Sequence, residues 1–169
     1  MDTFIALAPF PFHILFVLSL GFYLITAMQW YSYELNRVIF HYKRPIWHIL
    51  YFLLPILLYF TTDKFFWIYF LFAYLPSLYL WHRKQDKPLV WTDRVKRFFS
   101  FLLVAVIVQD TLCLASQQCQ IYGTFLPLFA SLLASHGAET YLAALYRRRA
   151  KAKLASMPDL KIVAITARH

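Results

Sequence analysis

The sequence predicts an all-α integral membrane protein with five transmembrane helices, and three observations support this. The 169 residues are 61% hydrophobic, 20% aromatic and only 15% charged, too apolar for an ordinary soluble domain. The apolar residues form long runs that are almost free of charge, and a bilayer core about 30 Å thick needs roughly 20 helical residues. The 17 Lys and Arg lie mainly between those runs. This composition excludes a disordered tail, a disulfide scaffold and a typical nucleic-acid-binding module.

The predicted spans are defined by these runs. In order they cover residues 9–30, 46–62, 65–81, 98–116 and 121–146. Helices are favoured over barrel strands because strands would be about ten residues long with alternating polarity. Only Asp63 and Lys64 separate the second and third spans, which predicts a tight helical hairpin. Kinks are expected at the prolines that lie inside spans, namely Pro55, Pro76 and Pro127. No Lys or Arg precedes the first run, so we expect that helix to be retained rather than cleaved as a signal peptide.

The distribution of basic residues predicts the orientation. If all five spans cross, the segments 31–45 and 82–97 and the region after residue 146 lie on one side, together with sixteen of the 17 basic residues. Only Lys64 lies opposite. The positive-inside rule then predicts an outside N-terminus and a cytoplasmic C-terminus in a bacterial inner membrane. The tryptophans fall near predicted span ends, which is typical of an interfacial belt: Trp30, Trp47, Trp67, Trp81 and Trp91.

The segment before the fourth span is basic and weakly amphipathic. Thr92 can cap a short helix in which Val95, Phe98 and Phe99 recur at helical spacing. The segment is either a solvated loop that sets topology or a binding surface for an anionic partner. With a second basic cluster after the fifth span, it supplies the candidate contacts to anionic lipid headgroups: Arg94, Lys96, Arg97, Arg147, Arg148 and Arg149.

Ionisable groups inside spans are costly and are therefore functional candidates. Asp110, beside Gln109 and Thr111, could line a polar path, pair with another helix, or be hydrated near the outer interface. Glu139 lies one turn from His136 and could instead pair with the arginines at 147–149. Cys113 and Cys119 are a candidate disulfide in an oxidising exterior. We predict no catalytic and no metal-binding residue.

Two alternative functions follow from these polar residues. The first is a small transporter or channel in which Gln109, Asp110 and Glu139 line a path. The second is a haem-binding membrane anchor, because bundle cytochromes hold haem between histidines of facing helices. The candidate histidines for this are His13, His48, His82 and His136.

The chain changes character after the fifth span. Residues 147–159 form a basic linker, and residues 160–166 have the β-branched character of a buried parallel strand. The sequence Lys-Ile-Val-Ala-Ile-Thr at 161–166, with residues 153–160 before it, resembles the entry into the ATP-binding domain of the Mur ligase family. Segments 37–41 and 93–99 are similar to the multi-helix N-terminal region of its membrane-anchored, MurF-like members, which are related to the D-Ala-D-Ala-adding ligase.

The resemblance implies a role in peptidoglycan precursor synthesis. Family members continue this strand into a phosphate loop with Gly-Lys-Thr or Gly-Lys-Ser, which holds ATP and Mg²⁺. Here Thr166 is followed by Ala167, Arg168 and His169, so residues 160–169 are expected to be a truncated start of that domain. We therefore expect no cofactor and no ligase activity in this chain alone. The leading prediction is a membrane anchor whose partners are the lipid bilayer and cell-wall synthesis membrane proteins, and not nucleic acid.

Overall fold

The computed structural model describes residues 9–33, 37–38, 45–62, 65–85, 87–116 and 125–156, and these residues form five helices. The helices are α1 (Pro9–Trp30), α2 (Ile46–Thr61), α3 (residues 65–83), α4 (Asp93–Ser116) and α5 (Phe125–Ala155). Within these ranges there is no strand, which confirms the all-α prediction. The strand predicted at 160–166 lies outside the described residues.

Two helices are long and apolar enough to cross a membrane by length and composition. They are Phe10–Trp30 in α1 and Asp93–Ala115 in α4, while α2 is apolar but shorter. α5 does not meet the criterion among the described residues, although a span was predicted at 121–146. These two helices give weak support for a membrane location, and they do not establish five membrane crossings.

The chain divides into two compact units, Met1–Ser135 and His136–His169. The first contains α1 to α4 and the start of α5, where Leu128 and Ser131 are buried. The second contains the rest of α5, in which each side chain from His136 to Ser156 is exposed or half-buried. The helix runs beyond the predicted end of the fifth span and includes the basic cluster at 147–149.

The core of the first unit is built around α1 and α4. Phe16, Val17, Leu20 and Tyr23 are fully buried on α1, and Val95, Phe98, Leu102 and Val106 are fully buried on α4. Both sets recur every three or four residues, which places each set on one helix face. Gly21 lies where the two faces meet. A Cβ atom there would collide with the buried Leu102 side chain, so the glycine is what lets the helices approach this closely.

α4 begins earlier than the fourth predicted span. Its first residue is Asp93, and the Thr92 hydroxyl accepts a hydrogen bond from the Val95 N–H at 3.4 Å. Thr92 therefore caps the long helix by satisfying one of its free N–H groups. The prediction of a separate short helix was wrong, because that segment is the first turn and a half of α4.

Pro55 and Pro76 each follow a π-helical turn. These turns are Ile49–Leu53 in α2 and Phe70–Tyr74 in α3. A proline cannot donate to the carbonyl four residues earlier, which for Pro55 is that of Tyr51. The Tyr74 hydroxyl donates to this carbonyl at 2.9 Å, and the Tyr51 hydroxyl donates to the Ser77 carbonyl at 3.2 Å. The Tyr74 hydroxyl thus supplies a donor to the carbonyl that Pro55 leaves free, and the Tyr51 hydroxyl adds a second hydrogen bond between the two helices.

The tryptophans predicted to form an interfacial belt differ in their exposure. Trp81 is only 4% exposed, and its ring lies 5.0 Å from that of Tyr23, centroid to centroid. It is a core residue rather than a member of an interfacial belt. Trp91, by contrast, is 58% exposed, as a belt residue would be.

Pro127 lies in the first described turn of α5, so the kink predicted there stays a prediction.

We expect Gly21→Ala to destabilise the protein by about 1 to 3 kcal/mol, because the added methyl group overpacks the contact with Leu102. Gly137→Ala is the matched control. A Cβ at position 137 meets no atom within 4 Å, so this substitution is neutral or stabilises the helix by about 0.5 to 1 kcal/mol. Thermal unfolding in detergent micelles measures both, and equal effects of the two variants would contradict the close packing.

Tyr74→Phe is expected to cost about 1 to 3 kcal/mol, because it leaves the Tyr51 carbonyl without its donor. In a Pro55→Ala background the loss should be smaller, since residue 55 regains an N–H that can reach the same carbonyl. The double-mutant cycle is measured by thermal unfolding, with the exposed Tyr79→Phe as control. Additive effects would show that the hydroxyl and the proline are not coupled.

Candidate functional site

The strongest candidate site is a buried pair formed by His13 of α1 and Asp110 of α4. His13 Nδ1 lies 2.9 Å from Asp110 Oδ1 and 3.2 Å from Oδ2. The two residues are 8% and 5% exposed, so they share a dry environment in which an unpaired charge would be costly. Asp110 therefore pairs with a side chain of another helix, which is one of the three roles that the sequence left open for it.

Helix periodicity explains why these two side chains meet. Asp110 follows Val106 by four residues, so it continues the buried face of α4. His13 precedes Phe16 and Val17 by three and four residues, so it lies on the buried face of α1. Because those faces pack together, the polar residues at their ends are brought into contact. The sequence carried a signal for Asp110, but it could not identify His13 as the partner.

Aromatic side chains surround the pair. The Tyr59 ring of α2 lies 5.9 Å from that of His13. Tyr59 also stacks against Phe16 at 5.3 Å and meets Phe66 of α3 edge-on at 5.2 Å. Within the described residues, His13 Nε2 and Gln109 Oε1 are buried without a hydrogen-bond partner. The site therefore keeps unused hydrogen-bonding capacity in its interior.

A half-buried histidine, His48, has its tautomer fixed by its neighbours. His48 Nε2 lies 2.9 Å from the Val38 carbonyl, which can only accept, so Nε2 carries a hydrogen. In the neutral ring, Nδ1 then accepts a hydrogen bond from the Tyr23 hydroxyl at 2.8 Å. Both nitrogens are used, so this histidine offers none to a haem iron. No cluster of three or more His, Cys, Asp or Glu occurs in the described ranges.

The remaining candidate residues have their own surroundings. His136 is exposed and Glu139 is half-buried, both in the second compact unit. Cys113 is disulfide-bonded, and its predicted partner Cys119 lies outside the described residues. His82 contacts the Phe22 ring at 4.9 Å beside a small apolar cavity of about 220 Å³.

The basic segment before α4 is anchored rather than free. The Gln29 side chain donates to the Val90 carbonyl at 3.0 Å and accepts from the Val90 N–H at 2.9 Å. The Trp30 indole N–H donates to the Lys87 carbonyl at 2.7 Å. Leu89 between them is buried in the core. The end of α1 thus holds this segment through its backbone.

The candidate lipid contacts on α4 have different surroundings. The Arg94 guanidinium stacks 3.9 Å from the centre of the Tyr33 ring, in a turn where Ser32 and Tyr33 have φ values of 55° and 62°. Lys96 lies 3.6 Å from Asp93 on the surface, and Arg97 is half-buried. The arginines at 147–149 are exposed and offer their charge more directly.

No family model, curated protein or solved structure matches this chain. What the site can do is therefore argued from its own geometry.

We expect Gln29→Ala to loosen the segment between α3 and α4, because two hydrogen bonds to Val90 are lost at a cost of about 1 to 2 kcal/mol. Trypsin should then cleave after Lys84 or Arg94 about five to thirty times faster in detergent micelles. Ser100→Ala is the control, since its hydroxyl bonds only within α4, to the Lys96 carbonyl. Unchanged cleavage would show that Gln29 does not hold the segment.

Proposed function

We propose that this chain is the multi-pass helical membrane anchor of a Mur ligase-like protein, and that it holds the ATP-binding domain of that protein on the cytoplasmic side of a bacterial inner membrane. The single observation that carries the membrane part is the polarity of α4. Of the two carboxylates of this helix, Asp93 is exposed at its first residue and Asp110, far inside the apolar stretch, is buried in the core. Its exposed face is aliphatic, with Leu103, Val104, Ile107, Val108 and Leu112. A soluble helix would have the opposite arrangement, whereas a helix in lipid requires this one.

The neighbouring helices support the same proposal. Leu53, Leu57, Phe65 and Phe72 of α2 and α3 are exposed large hydrophobic residues. Monomeric soluble proteins rarely expose continuous apolar surfaces of this kind, because water penalises them. Lipid tails cover them without that penalty. In the proposed topology all five helices cross, and the basic segments face the cytoplasm as the positive-inside rule requires.

The ligase part of the proposal has separate support. It depends on the sequence of residues 153–166 and on the basic linker that would connect the last helix to the ligase domain. In this arrangement the anchor brings the ligase to the membrane surface, where it would work beside membrane proteins of peptidoglycan synthesis. ATP and Mg²⁺ would be bound by residues that follow the strand. A DNA sequence beyond codon 169 that encodes no Gly-Lys-Thr or Gly-Lys-Ser loop in any frame would contradict this part alone.

The membrane part is tested by fractionation and labelling. We expect the chain to stay in the membrane pellet after alkaline carbonate washing and to be released by detergent. A cysteine placed at exposed Thr61 should react with an impermeant maleimide in intact spheroplasts. One placed at exposed Ser156 should react only after permeabilisation, with the parent chain as the background control. Release by carbonate contradicts membrane insertion, and labelling of both sites in intact spheroplasts contradicts the five-crossing topology.

A small transporter or channel is the second candidate. The observation that favours it is the buried position of Asp110 and its contact with His13 on another helix. If Asp110 and Glu139 line a transport path, Asp110→Asn should abolish solute or ion flux in proteoliposomes. Asp93→Asn is the matched control, because Asp93 is exposed. Equal flux through both variants and the parent chain would contradict this candidate.

A further inference from the structure

We propose that His13 and Asp110 form a proton-binding site, in which His13 Nε2 takes up an exchangeable proton and Asp110 stabilises the charged ring. The inference is independent of the anchor function. It deepens the transport candidate by naming the proton as the ion held at Asp110. The steps below use only the geometry of the pair and its neighbours.

The contact between the two side chains fixes where hydrogens can be. A carboxylate only accepts, so the 2.9 Å and 3.2 Å contacts require that Nδ1 carry a hydrogen when Asp110 is ionised. The neutral ring then has its lone pair on Nε2. That atom is buried and has no hydrogen-bond partner among the described residues. The open position for a proton in the pair is therefore Nε2.

Charge balance favours protonation at that position. With Nδ1 protonated and Nε2 free, the pair carries one negative charge in a buried environment. Addition of a proton to the Nε2 lone pair forms an imidazolium beside the carboxylate, and the net charge becomes zero. The Nδ1–H···O hydrogen bond is kept, and no other bond breaks. The carboxylate favours the charged ring, as in the pairs that hold a histidine for proton transfer.

The surrounding groups do not supply a competing charge. Of the elements packed around the pair, α2 contributes Tyr59, whose ring lies 5.9 Å from that of His13. α3 reaches this region with Phe66, which contacts Phe16, and with Trp67, which contacts Phe12. On α4, Gln109 is uncharged and Cys113 is disulfide-bonded, so neither adds a proton. Within the described residues, proton uptake is thus assigned to His13 and Asp110.

The pair lies near one end of α1. His13 is the fifth residue of α1, little more than one helical turn from the first described residue of that helix. Pro11 and Phe12 next to it are exposed.

The test is a pH titration of the full chain, labelled with ¹⁵N at histidine and held in lipid nanodiscs. We expect Nδ1 of His13 to stay protonated across the titration while the Nε2 signal changes from the unprotonated to the protonated form. His13→Gln assigns the signal, and the exposed His136 is an internal reference. Asp110→Asn should change the titration of the Nε2 signal, because the variant lacks the carboxylate that stabilises the charged ring. Asp110→Glu should leave the titration of the His13 Nε2 signal nearly unchanged, and Asp93→Asn should not change it.

Each outcome bears on the proposal. An Nε2 signal that stays constant between about pH 4 and about pH 9 overturns it, and so does an unchanged midpoint in a folded Asp110→Asn variant. If that variant does not fold, the Nδ1 and Nε2 signals of the parent chain decide, because a merely structural hydrogen bond predicts no change at Nε2. Titration without proton flux in proteoliposomes would support the site and contradict the transport candidate.

Discussion

The close contact of α1 and α4 at Gly21 determines where the rest of the core lies. Since the glycine has no side chain, the buried faces of the two helices meet along most of their length. At one end of the contact, His13 reaches Asp110. Near the other end, Gln29 and Trp30 reach the segment that leads into α4. A larger residue at position 21 would separate both sets of polar partners at once.

Several polar groups of the core are paired with one another. The Tyr74 hydroxyl donates to the Tyr51 carbonyl, which Pro55 leaves without its helical donor, and the Tyr51 hydroxyl donates to the Ser77 carbonyl. His48 is held by Tyr23 and by a backbone carbonyl. In a lipid environment such pairing is favoured, because there is no water to replace a missing partner. The unpartnered Nε2 of His13 is the contrasting case.

Helix positions could be predicted from the sequence more reliably than side-chain partners. The charge-free runs gave the bounds of α1 and α2 within a residue, because hydrophobic length is a local property. The start of α4 was missed, since the Thr92 cap joins a basic segment to an apolar one. The burial of Asp110 follows from its spacing to Val106. Its partner His13 lies 97 residues away, and only the packing of two helices brings them together.

The anchored segment before α4 has a consequence for biosynthesis. The partners of Gln29 and Trp30 lie 61 and 57 residues further along the chain. During translation, α1 is therefore complete long before those partners exist. The side chains at its end therefore lack these partners until α2 and α3 have been made. The packing of α1 against α4 is a late step in the folding of the nascent chain.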